Sequence, residues 1–156
     1  MVVEVDGNSL TIEDVVAVAR NHDEVQLTDE AKSRMRASRA VVENALEEGR
    51  VVYGVNTGFG ELATTTISNK DLSTLQLNLI RSHSVGVGKP LSSDVVRAMM
   101  LLRANALAKG FSGIRISVVE TLLEILNADV IPVVPEKGSV GSSGDLAPLA
   151  HMVLVL

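Results

Sequence analysis

The chain has 156 residues, enough for one domain with a sizeable core, and 46% of them are hydrophobic. Aromatics make up only 2%, so the core must be aliphatic, and a net charge of −5 without a Lys/Arg cluster argues against a nucleic-acid partner. Cysteine is absent, which removes disulfides and thiolate metal sites and is compatible with a reducing compartment. The start Met1-Val2-Val3-Glu4-Val5-Asp6 lacks the basic and apolar regions of a signal peptide. The longest strongly apolar run, Leu146 to Leu156, falls short of the roughly 20 residues a bilayer span needs. The expectation is a soluble, cytoplasmic protein with no membrane partner.

In chain order, Val2 to Val5 is a strand candidate turned by Asp6-Gly7-Asn8. A helix follows from Thr11 to about Asn21, with Ile12, Val15, Val16 and Ala19 on one face. Thr28 caps a long helix whose first turn carries Asp29 and Glu30, favourable at the positive end of the dipole. Ala31, Met35, Ser38, Val42, Ala45 and Leu46 form its apolar stripe, and Gly49 stops it.

Arg50 to Val55 is a short β-branched run bearing Tyr53, the only tyrosine. Gly58, Gly60 and Ala63 trace a GxGxxA outline, but Thr64-Thr65-Thr66-Ile67 is a poor helix start, so a dinucleotide site is rejected. On composition alone Tyr53 is as readily a strand residue with its hydroxyl in water as a catalytic group. A phenol is a weak base at neutral pH and needs a nearby cation or electrophile to act as one.

Ser68 and Asp71 signal the start of a helix running to about His83, with Leu72, Leu75, Leu79 and Ile80 on its apolar side. A histidine at a helix C-terminus is ordinarily a dipole-stabilised cap. His22 lies in a polar loop, and His151, inside an apolar stretch, reads as a hydrogen-bonded core residue; three histidines so dispersed make no metal site. Ser92 or Ser93 caps a helix from Asp94 to Lys109, closed by Gly110, and another spans Ile114 to Asn127. Both are apolar nearly all round, which predicts cover from a larger assembly. Ile131-Pro132-Val133-Val134-Pro135 is a proline-stiffened extended link.

The link leads into Gly138-Ser139-Val140-Gly141-Ser142-Ser143-Gly144-Asp145, a loop of small polar residues. Asp145 is the predicted N-cap of a helix over Leu146 to Leu156, with Pro148 in its first turn. Taken by itself such a loop is a flexible connector or an anion cradle at a helix N-terminus; the P-loop pattern is missing its Gly-Lys-Ser/Thr.

The string from Gly138 to His151 resembles the electrophile-forming segment of the aromatic amino acid ammonia-lyase family, above all its histidine-specific members. Tyr53-Gly54-Val55-Asn56-Thr57-Gly58-Phe59-Gly60 and Arg81-Ser82-His83-Ser84-Val85-Gly86-Val87-Gly88 look like two further stretches of the same family. The resemblance implies that Ser142, Ser143 and Gly144 cyclise into 4-methylidene-imidazol-5-one. The Gly144 nitrogen would attack the carbonyl carbon of Ser142, and loss of two waters would leave the methylidene on Ser143. Ser142 stands where the family usually has Ala, but that side chain is small and remains outside the ring. Tyr53 would be the base removing the β-proton, and His83 would lie beside the substrate side chain.

The fold implied is mostly α, the N-terminal part of the ammonia-lyase helical fold, with a few short strands near the N-terminus. Residues 1–156 are expected to be a single N-terminal fragment ending in an uncapped apolar helix. About 1–90 would be mixed α with short strands carrying the tyrosine loop, and about 91–156 the start of the central helical bundle with the electrophile loop. The implied reaction is non-oxidative elimination of ammonia from histidine to give urocanate, in a homotetramer, with no metal. A tyrosine or phenylalanine ammonia-lyase or aminomutase is the alternative within the family, and a non-catalytic assembly or folding fragment the alternative outside it. The isolated chain is expected to leave Ser142, Ser143 and Gly144 uncyclised, to be inactive alone, and to associate through its last helices.

Overall fold

The computed structural model describes residues 1–60, 64–65, 67–68, 70–142 and 144–156. β1 (Val2–Val5) and β2 (Glu24–Leu27) pair in parallel, Val2 against Glu24 and Val5 against Leu27, joined across α1 (Ile12–Arg20). Both strands alternate exposed and buried, so Val3, Val5, Val25 and Leu27 face one core. The amide side chain of Asn127 completes that small sheet, accepting from the N–H of Val25 and donating to its carbonyl, each at 2.9 Å.

The expected cap at Thr28 forms and Thr11 caps α1, whereas Ser92 and Asp71 stand at N-cap positions without accepting a capping N–H. Thr11 accepts from the Asp14 N–H while the Asp14 carboxylate accepts from the Thr11 N–H, a reciprocal box that starts α1. Thr28 accepts from the Ala31 N–H and opens α2 (Asp29–Glu47), which buries Ala31, Met35 and Ala45; Gly49 just beyond it has φ +67°.

The remaining helices are α3 (Leu72–His83), α4 (Ser93–Ala108), α5 (Ile116–Asn127) and α6 (Ala147–Val153). α4 is the hub, packing on α1, α2, α5 and β1, with Val96, Met100, Leu101, Ala104 and Ala108 buried. Each large aliphatic side chain buried there contributes about 1.5–3 kcal/mol. The expectation that α4 and α5 need cover from outside is corrected in part. β1, β2 and α1 cover their inner faces, and only residues such as Val95 and Leu102 remain exposed.

Arg97 sits in this aliphatic core at 2% exposure. Its guanidinium donates to the carbonyls of Val18 and Leu126, near the ends of α1 and α5, and to Asp129 at 2.7 Å. The side chain thus serves the orphan carbonyl of Val18 and adds a second donor at Leu126, which also accepts from the Asp129 N–H.

Two further strand pairs lead to the site. β3 (Val87–Pro90) runs antiparallel to β4 (Pro135–Lys137), and β5 (Val140–Gly141) to β6 (Gly144–Asp145). The β5–β6 hairpin corrects the predicted last helix, which spans Ala147–Val153 and not Leu146 to Leu156. Asp145 is held by pairing with Val140, so its backbone cannot open the helix, and Leu146 is the N-cap residue. Its carboxylate still performs the predicted service one position early, accepting from the Ala147 N–H at 3.1 Å. Among the described residues no helix is long and apolar enough to cross a membrane.

Candidate active site

The Tyr53 segment is a knot of turns and not the strand its β-branched residues suggest. Asn56, 6% exposed, accepts from the Val52 N–H and donates to the Arg50 carbonyl, both at 2.8 Å. Thr57, fully buried, accepts from the Gly54 N–H. These two side chains take the hydrogen bonds that a neighbouring strand would otherwise supply. They present Tyr53 outward at 63% exposure, edge-on to Phe59 with ring centroids 5.9 Å apart. Ala63 of the rejected dinucleotide outline lies outside the described residues.

His83 is the last residue of α3, and its Nδ1 lies 2.8 Å from the Leu79 carbonyl and 3.0 Å from Ser82 Oγ. A carbonyl can only accept, so Nδ1 carries the proton and donates to it. In the neutral ring Nε2 is then an acceptor, with no partner among the described residues.

Gly141 pairs with Gly144, so only residues 142 and 143 connect β5 to β6. Gly144 has φ +85°, a conformation that a side chain would strain. The Asp145 carboxylate fastens the hairpin base, accepting from the N–H of Ser139 at 3.0 Å as well as from Ala147. Ser143 lies outside the described residues.

These pieces meet in two adjoining cavities. One of about 330 Å³ is lined by His83, Val85, Ser142, Gly144 and Leu146 among others. The second, about 520 Å³, is lined by Tyr53 and Phe59 on one side and by His83, Ser142 and Leu146 on the other. Tyr53, His83 and Ser142 therefore border common space although they lie on three separate elements. Leu79, Ile80, Leu149 and Met152 make much of the larger cavity apolar, and Arg103 of α4 supplies a permanent cation to its wall. Sequence reasoning missed Arg103, because one arginine on an amphipathic helix has no distinguishing pattern.

A tripeptide of Ser142, Ser143 and Gly144 at a two-residue connection, with positive φ at the glycine and its flank clamped by Asp145, fits the cyclised group that the resemblance implies. Among the described residues, no three His, Cys, Asp or Glu side chains are grouped to hold a metal ion.

The fold is that of the aromatic amino acid lyases. Residues 10–156 match the Aromatic amino acid lyase family, and the chain belongs to it. Its relatives include the histidine ammonia-lyases of Caldanaerobacter subterraneus subsp. tengcongensis, 62% identical over 99% of this chain, and Alkaliphilus oremlandii, 57% identical over 97%. The chain spans 30% of the length of each. Among solved structures, histidine ammonia-lyase from Trypanosoma cruzi superposes with TM-score 0.89 at 44% identity, covering 99% of this chain and 29% of that one. Tyrosine aminomutase from Streptomyces globisporus superposes equally well, TM-score 0.89, at 40% identity, covering 97% of this chain and 28% of that one.

Proposed function

We propose that this chain supplies part of the active site of a full-length lyase that eliminates ammonia from histidine to give urocanate. The observation that carries the reading is the common cleft bordered by Tyr53, His83 and Ser142. Substrate choice rests on relatives named histidine ammonia-lyase that are 57–62% identical to the chain.

Ser142, Ser143 and Gly144 would hold the methylidene-imidazolone, which supplies an electrophilic carbon towards the substrate. Tyr53 takes the β-proton, and its exposure on the cleft wall leaves the hydroxyl free to approach a bound amino acid. The Arg103 guanidinium stands in the same cleft wall. His83, with its Nδ1 proton committed to Leu79, offers Nε2 to an N–H donor such as the substrate imidazole. Leu79, Ile80 and Met152 keep water from the reacting face. Exposed Val95, Leu102 and Phe111 support a homo-oligomer as the working form, and the absence of cysteine suits a cytoplasmic location.

The test is ammonia and urocanate release by the full-length lyase offered histidine, tyrosine and phenylalanine in turn, with Ser143→Ala as the control. Histidine turnover abolished in the control is the expected result. Elimination from tyrosine or phenylalanine alone would overturn the substrate assignment, and equal turnover by Ser143→Ala would overturn the electrophile.

A further inference from the structure

His151 borders neither cavity, yet it connects the two elements that do. It stands in α6, the helix that follows the Ser142 hairpin, and its Nε2 accepts from the Gly86 N–H at 2.9 Å. Gly86 belongs to the short segment leaving α3 directly after His83. That segment bends sharply: the Ser84 N–H returns to the carbonyls of Ile80 and Arg81, and the Val85 N–H to that of His83.

The approach is close on all sides. A Cβ on Gly86 would lie 3.0 Å from His151 Nε2 and 3.1 Å from Pro135 Cβ, where β4 begins. Residue 86 is thus seated against both α6 and the β3–β4 pair, and any added volume must push one of them away. An accepting Nε2 leaves Nδ1 as the donor side of the ring.

We infer that His151 is a positioning residue that sets the distance between His83 and Ser142, and through it the fit of the substrate heterocycle. This rests on the reading of the cleft given above. A loosened tether lets the His83 end of α3 drift from the hairpin, which weakens substrate binding. It leaves the chemistry of Tyr53 and the electrophile in place, so the loss falls on KM more than on kcat.

The experiment compares His151→Phe, His151→Gln and Gly86→Ala in the full-length lyase. For each, KM and kcat for histidine, the absorbance of the cyclised group and amide exchange at Gly86 are measured. His151→Phe should speed exchange at Gly86 and raise KM roughly tenfold, equivalent to about 1.4 kcal/mol, the upper range for one hydrogen bond. Its kcat should stay within about threefold, with the absorbance unchanged. His151→Gln places an amide oxygen near the lost Nε2 and should restore most of the KM. Gly86→Ala should raise KM in the same direction from the other side of the contact. Should His151→Phe fail to fold, the Gln and Gly86→Ala variants decide.

Faster exchange at Gly86 with an unchanged KM overturns the positioning role, as does a Gln variant no better than Phe. Wild-type lyase that turns over tyrosine and not histidine overturns the substrate reading instead. The same KM comparison is then made with tyrosine.

Discussion

The carboxylate of Asp145 fills the space that a side chain on Gly138 would need. The same carboxylate receives the N–H groups of Ser139 and Ala147, so glycine at 138 and aspartate at 145 together close the base of the hairpin that carries Ser142. Gly138→Ala should expel the carboxylate, free both N–H groups and lower the yield of cyclised group in the full-length lyase. Absorbance per mole of folded protein measures it; a wild-type yield in Gly138→Ala would show that the clamp has no part in ring formation.

Tyr53→Phe should leave that absorbance intact while lowering kcat roughly 10²- to 10⁴-fold, the usual contribution of a general base. Phe59 still receives the ring edge, so the loop keeps its shape. Turnover within a few-fold of wild type would remove Tyr53 from the proton transfer.

Arg97→Met keeps much of the volume but strands the carbonyl of Val18 in an aliphatic core, while that of Leu126 keeps the Asp129 N–H. One buried acceptor without a donor should cost about 1–3 kcal/mol, read as a lower urea midpoint with an unchanged slope. Asp129 is 57% exposed, so Asp129→Asn should cost less than about 1 kcal/mol. Equal losses in the two variants would place the stabilisation in the ion pair and not in the carbonyls.

The hydroxyl and N–H of Thr11 hold the Asp14 carboxyl below the ordinary carboxylate range. A carboxyl with a lowered folded value stabilises the folded chain at every pH above its unfolded value. That stability is lost as pH falls below about 4, through the lowered value. Thr11→Val should move the Asp14 titration, followed by carboxyl carbon NMR, upward towards that of an unstructured aspartate. An unmoved titration would rule out Thr11 as the cause.

Local chemistry made much of the fold legible. Thr28 caps its helix because its hydroxyl has an N–H three residues on to receive, a relation visible in sequence. The strand Val2–Val5 and the stops at Gly49 and Gly110 follow from equally local rules. What escaped depends on distant partners. Arg50 to Val55 reads as a strand by propensity, but the Asn56 side chain takes its hydrogen bonds and winds it into turns. The start of α6 moves because Val140 claims the backbone of Asp145 first. Arg97 and Arg103 look alike in sequence, yet one is sealed in the core and the other faces the cleft. The meeting of Tyr53, His83 and Ser142 was expected only through family resemblance, since no spacing rule connects residues on three separate elements.

Around the hairpin tip Ser142 is exposed, and a Cβ built on Gly141 or Gly144 meets nothing within 4 Å. No contact among the described residues presses the Gly144 nitrogen towards the Ser142 carbonyl, and a strained backbone persists only where its surroundings hold it. The decisive measurement is the mass of the peptide containing Ser142, Ser143 and Gly144, taken from the full-length lyase and from residues 1–156 expressed alone. A deficit of two waters is expected in the first and the unmodified mass in the second. An unmodified peptide from the full-length lyase would contradict the assignment of the electrophile to this hairpin.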